Sequence, residues 1–321
     1  MFKIKTLHQD FIVKEKIQDD FLENGRYSYF IIKKIGINTL DAVKSISYKL
    51  KIPLKNIGYS GLKDKNAIAY QYISIDNVPP KQVIKLNFEN LDSEFVGYKN
   101  KPLSIGNLIS NDFKITVRNL DKEYKKIKFI ENYFDEQRFS ADNVRIGRAI
   151  IKRDFSTLKN YFNLQSLSNL NFLKAQDMKV LRLYISAYQS YLWNCVAADY
   201  LKKYDDFHEL NYSLGTFIFL KKKVKNIDIP LINFDSKFYN KRIEQIYKSL
   251  LSKEQISIND FLTRDFPELI NESDSRKLII DLNIHSEFMK DEVNLGKFKQ
   301  ILEFELPKGS YATIAIKKMF S

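Results

Sequence analysis

Residues 57–72 read IGYSGLKDKNAIAYQY, and they set one acid, Asp64, between Lys63 and Lys65 in a glycine-led loop. Neighbouring positive charge favours the ionised carboxylate at neutral pH. Gly58 and Gly61 permit tight backbone geometry ahead of it. Residues 67–75, AIAYQYISI, are rich in β-formers and predict a strand that would anchor the loop. An ionised, anchored aspartate suits a nucleophile or a general base. A hydrophilic turn has the same composition, and taken alone the triplet favours the turn, because short motifs occur by chance.

Working outward, residues 11–13 and 27–35 (YSYFIIKKI) predict strands on either side of a polar stretch. Asn38 is placed to cap a helix over 39–51, with Asp41 in its first turn and Leu40, Val43, Ile46 and Leu50 along one face. Pro53 ends that helix, and Pro79-Pro80 breaks the chain after the 67–75 strand. Residues 94–99 and 113–118 predict further strands, joined by the loop LSIGNLISND. A helix is expected over 123–133, leading into NYFDEQRFS.

Beyond residue 141 the texture changes, and 141–284 is mainly helical in pattern. The clearest helix is expected over 177–204, with Leu181, Tyr184, Ile185, Tyr188, Leu192, Cys195 and Val196 as its apolar stripe. Residues 299–306 (KQILEFEL) return to strand character, and Pro307 and Gly309 make a turn before SYATIAIKK. β-rich ends around a helical middle suggest an α+β fold in which one domain is inserted into another. The last forty residues would complete the first sheet.

A chain of 321 residues, 44% apolar and 28% charged, fits two modest soluble domains. With a single cysteine, Cys195, it has no intrachain disulfide and no cysteine zinc site. The three histidines are scattered, and neither a P-loop nor a G-x-G-x-x-G dinucleotide signature occurs. An enzyme of this composition is expected to work without metal, nucleotide or redox cofactor, by carboxylate and lysine chemistry. A net charge of +13 and a pI near 9.4 attract polyanions, nucleic acid first. An AT-rich coding bias explains many lysines but not the shortage of balancing acids. No apolar run is long enough to cross a membrane, and the first residues lack the apolar core of a signal peptide, so a cytoplasmic protein is expected.

The loop does not stand alone. Residues 61–71, G-L-K-D-K-x-A-x-x-x-Q, resemble the catalytic motif of the TruD family of tRNA pseudouridine synthases. DFIVKE (10–15), IGNLISNDF (105–113), NYFDEQRF (132–139), SAYQSYLWN (186–194) and LPKGSYAT (306–313) are similar to that family's remaining motifs, in the same order. The resemblance implies an antiparallel pseudouridine-synthase sheet over residues 1–140 plus 285–321, with a mainly helical α/β TRUD domain inserted at 141–284. It implies isomerisation of uridine 13 of tRNA, with no cofactor and no obligate protein partner.

By the same resemblance, Asp64 would be the catalytic nucleophile, with Lys63 beside it keeping it charged. Phe11, Asn111 and Tyr311 match substrate-binding positions, and Phe113 matches an aromatic that faces the target base. Each role has a plainer rival. Phe11 and Phe113 suit a core, Asn111 suits a turn, and Gln137 with Arg138 suits a structural pair near the domain junction. A non-catalytic tRNA-binding or tRNA-folding protein on the same scaffold is the alternative function. The chain departs from the family pattern at Tyr311 (usually Phe), at Ala69 and Tyr70 (where Thr is common), and at Ser110 and Asp135 (both usually Gly).

Overall fold

The computed structural model describes residues 2–139, 142–162, 177–262, 269 and 274–321. The chain forms two compact units. The first holds Met1–Lys128, Leu282–Ala312 and Phe320; the second holds Phe129–Asp281, Thr313–Met319 and Ser321.

Strands β1 (Phe11–Ile17) and β2 (Tyr27–Ile35) lead into helix α1 (Thr39–Leu50), then β3 (Ile57–Tyr59), β4 (Ile68–Asp76), the short α2 (Pro80–Ile84), β5 (Leu91–Lys99) and the long β6 (Leu108–Leu120). Next come β7 (Phe129–Glu131), α3 (Asn143–Lys152), α4 (Phe155–Phe162), α5 (Met178–Leu201), β8 (Phe207–Tyr212) and β9 (Gly215–Leu220). They are followed by β10 (Asp228–Leu231), α6 (Lys241–Glu254), β11 (Asp274–Lys277) and β12 (Ile279–Asp281). Strands β13 (His285–Lys290) and β14 (Phe298–Pro307) and helix α7 (Ala312–Phe320) finish the chain.

In the first unit eight strands make one sheet, in the order β13-β14-β6-β1-β4-β2-β5, with β3 paired to β4. Every pairing is antiparallel except β1 with β4. This is the α+β class expected. Strand β14 lies along β6 from Phe298 opposite Leu120 to Pro307 opposite Ser110, so the end of the chain completes the N-terminal sheet.

Helix α1 starts where the sequence predicts. The Asn38 side chain accepts from the Asp41 N–H, and Lys51 closes the helix in a left-handed conformation (φ 55°). Ala42, Val43 and Ile46 pack on Phe30, Ile32, Ile73 and Ile75 of the sheet. Val43 and Ile46 each contribute about 1.5–3 kcal/mol by leaving water, and Ala42 less. The buried stripe is rotated from the one expected. Leu40 is 39% exposed, while Thr39 is buried because its hydroxyl joins a polar network described below.

The helix expected over 123–133 does not form. Residues 121–128 carry no helix, and Phe129–Glu131 is strand β7, paired with β12. Tertiary partners override the local pattern. Gln300 both accepts from the Tyr124 N–H and donates to the Tyr124 carbonyl, and Glu131 is buried against Lys318.

The second unit is organised around α5, capped by Asp177 and carrying buried Leu181, Tyr184, Ile185, Tyr188, Leu192, Trp193 and Val196; Cys195 is only half-buried. Helix α3 crosses α5 at Gly147, where a β-carbon would stand 2.1 Å from the Tyr184 carbonyl oxygen. Asp135, where the resemblance leads one to expect glycine, has a structural role. It accepts from the Thr313 hydroxyl and the Lys317 ammonium, both at 2.5 Å, and so ties α7 down. No helix among the described residues is long and apolar enough to cross a membrane.

Candidate active site

Asp64 sits in the connection between β3 and β4, in the first unit. Its Oδ2 lies 2.5 Å from Lys5 Nζ, with the two side chains 24% and 22% exposed. The same ammonium stands 4.4 Å over the Phe11 ring. Lys5 adopts φ 56°, a backbone state uncommon for a residue with a side chain, so the surrounding structure holds it there.

That hold comes from both directions along the chain. Lys3 and Arg118 exchange backbone hydrogen bonds, at 3.0 and 2.8 Å. On the other side, Asp10 accepts from Arg118 Nε and Nη2 and from the Leu7 N–H. Arg118 is 2% exposed and also donates to Asp291 and Glu292. The segment bearing Lys5 is therefore pinned at each end to β6.

The loop around Asp64 is held from beneath by buried polar groups. Glu15, with its side chain fully buried, accepts from Lys63 Nζ at 2.5 Å, Ser60 Oγ at 2.6 Å and the Tyr72 N–H at 3.0 Å. Thr39 Oγ1 donates to Gln71 Oε1 and accepts from the Lys63 N–H, while Gln71 Nε2 donates to the Gly61 carbonyl. Lys34, 0% exposed, donates to the carbonyls of Ile37, Lys63 and Asp64. Burial pushes the Lys34 ammonium down to about 8; Asp64 works against this shift and Lys63 adds to it.

Of the residues the sequence singles out, Asp64, Phe11 and Phe113 form one connected group. Phe11 and Phe113 meet edge-on with centroids 6.0 Å apart, and Phe113 in turn contacts Phe304 at 5.8 Å. Both Phe11 and Phe113 are over nine-tenths buried. Lys63 turns its ammonium to Glu15, and the cation bonded to Asp64 is Lys5, which sequence reasoning did not single out.

Asn111 lies opposite Glu15 across β6 and β1, two residues from Phe113 and so on the same face of the strand. It is 7% exposed, and its Oδ1 has no hydrogen-bond partner among the described residues. Ser310 Oγ is buried and has no partner among the described residues either. Leu306 pairs with Asn111, so both atoms belong to one end of the β6–β14 pair and the turn beyond it. Buried polar atoms are ordinarily satisfied, so this end suits a polar ligand that supplies the missing partners. Tyr311 is half-buried, directly before α7 and just past the same turn.

Comparison with known proteins follows the same lines. A family model described as tRNA pseudouridine synthase D (TruD) matches residues 2–167 and 215–319. A Methanococcus maripaludis protein assigned as tRNA pseudouridine synthase D 1 is 33% identical over 394 aligned positions, which cover 99% of each chain. The tRNA pseudouridine synthase D of Aquifex aeolicus is 30% identical over 386 positions, covering 99% of this chain and 98% of its own. A Methanosarcina mazei crystal structure described as a tRNA pseudouridine synthase D shares the fold with a TM-score of 0.71 at 22% identity, covering 99% of this chain and 93% of that one.

Proposed function

The chain belongs to the tRNA pseudouridine synthase D (TruD) family, and on that premise we propose that it isomerises uridine 13 of tRNA to pseudouridine with Asp64 as the catalytic nucleophile. The observation that carries the reading is the Lys5–Asp64 ion pair at the Phe11 ring. A partly exposed carboxylate is bonded to an ammonium that favours its charged form, and that ammonium lies over an aromatic ring.

The reaction breaks the N1–C1′ bond, turns the uracil and joins C5 to C1′. C5 loses a proton and N1 gains one, so the atoms balance without a redox partner. The base must leave its stack to reach the carboxylate. Phe11 and Phe113 offer it aromatic edges. Asn111 offers a buried acceptor, and Tyr311 stands at the same strand end to stack on RNA. Lys63, engaged by Glu15, holds the loop.

Residues 1–140 with 285–321 are assigned the chemistry, and 141–284 an inserted domain. The net charge of +13 suits a polyanionic substrate, and the site of action is the cytoplasm, where tRNA is matured.

Tritium release from tRNA carrying 5-tritiated uridine tests this directly. Asp64→Asn is expected to fall to background while still binding tRNA. Full release by the variant would overturn the nucleophile assignment, and pseudouridine formed at another position would overturn the assignment to uridine 13.

A further inference from the structure

We propose that Lys34 is a positioning residue for the reaction, its buried ammonium clamping the two peptide groups that flank Asp64. The inference rests on Asp64 being the catalytic group. Lys34 Nζ lies 2.7 Å from the Asp64 carbonyl oxygen and 3.3 Å from that of Lys63, the carbonyls immediately after and before the Asp64 N–Cα–C unit. Its third contact, 2.8 Å to the Ile37 carbonyl, ties the same ammonium to the connection between β2 and α1.

An ammonium has three protons and three acceptors are present, so the match is complete. A lysine at 0% exposure is costly unless something is gained from it, because its charge is taken out of water. Here the neighbouring strand positions are apolar. Ala69 of β4 and Leu91 of β5 stand opposite Lys34. The charged groups that face it are Asp64, which favours its charge, and Lys63, which opposes it, both from the loop. A leucine or methionine would pack among these neighbours but would leave three carbonyls without donors.

The clamp has a defined lever arm. Lys34 lies on β2, fixed on both sides by β4 and β5. The loop it holds contains Gly61 and a run of polar residues, with its own tethers from Thr39 and Gln71 on the Gly61–Lys63 side. On the Asp64 side Lys34 bonds the backbone carbonyl. Loss of one proton leaves two donors for three carbonyls, and the carboxylate is then held less closely against Lys5. Loosening by a fraction of an ångström is enough to lower a rate that depends on alignment.

The test uses the full chain, Lys34→Met, and tRNA carrying 5-tritiated uridine. Lys34→Met is expected to lower kcat by about tenfold or more with KM for tRNA within about twofold, since the ammonium does not reach the RNA. In hydrogen exchange, amides of residues 61–66 should exchange faster while those of β2 and β4 keep their protection. The wild-type enzyme should lose kcat above about pH 8, and Lys34→Met should lack that alkaline fall. A wild-type kcat in Lys34→Met overturns the inference. So does a wild-type kcat that stays level from about pH 7 to about pH 9.5, a result that needs no variant to fold. Asp64→Asn run in parallel separates the two readings. An active Asp64→Asn removes the premise, whereas an inactive Asp64→Asn beside a fully active Lys34→Met removes the clamp alone.

Discussion

Lys5 Nζ and Asp64 Oδ2 are 2.5 Å apart, although 59 residues separate them in the chain. A charge-assisted hydrogen bond of this kind contributes about 1.5–3 kcal/mol. If that bond is stronger in the transition state than in the resting enzyme, its loss costs about ten- to a hundredfold in rate. Lys5→Met is therefore expected to lower kcat by that factor with little change in tRNA affinity, read from single-turnover tritium release. Lys5→Arg should recover part of the rate, because it restores a cation near the carboxylate; no difference between the two variants would show that charge is not what Lys5 supplies.

Arg118 is the buried anchor behind Lys5. Removing it leaves Asp10 and Asp291 buried without their cation. Breaking such a pair typically costs about 3–5 kcal/mol. Arg118→Met is expected to lower the denaturant midpoint accordingly. Its residual folded fraction should also turn over more slowly, since the Lys5 segment keeps its backbone bonds from Lys3 but loses the Asp10 fastening on β6. A stable variant with unchanged kcat would refute the link between the anchor and the site.

The strands and helix that frame the site were legible because their patterns are local. Alternation marks 27–35 and 67–75, and Asn38 announces α1. The cation on Asp64 was not legible, since nothing near residue 64 points to residue 5. Two further residues did leave a signal. Lys34 continues the buried alternation of Phe30 and Ile32, and Glu15 continues that of Phe11 and Val13. A charged residue on the apolar face of a strand asks for a buried partner, and here the partner is the Asp64 loop. The helix expected over 123–133 failed for the opposite reason, because Gln300 and Lys318, far along the chain, decide how that segment is satisfied.

Acid should weaken the first unit through Asp291. Burial works to raise its pKa, but N–H groups of Asn119 and Val293, the Asn294 amide and Arg118 together outweigh it and hold the carboxyl below its ordinary 3.8. The unfolded chain then binds a proton near that ordinary value while the folded one resists. Stability from this group is full above about pH 4 and is lost as pH falls through the lower folded value. Asp291→Asn should flatten the acid limb of a urea-midpoint series, and an unchanged limb would assign acid sensitivity elsewhere.

Gly58 and Gly61 precede Asp64, yet neither adopts a positive φ, so the structural demand on them is one of space. A β-carbon at Gly58 would stand 2.4 Å from the Leu103 carbonyl oxygen and 2.7 Å from Ser74 Oγ. One at Gly61 would meet only the end of Lys63, at 3.9 Å. Gly58→Ala must push β3 away from the Leu103 backbone, which overpacking data price at about 1–3 kcal/mol. Since β3 runs straight into the loop, kcat should fall with stability. Gly61→Ala should fold and turn over near the wild-type level, with a small gain from the stiffer unfolded chain. Thermal melts and tritium release on the pair decide the matter: a damaging Gly61→Ala beside a silent Gly58→Ala would mean that the loop needs glycine's flexibility at residue 61 and has room to spare at residue 58.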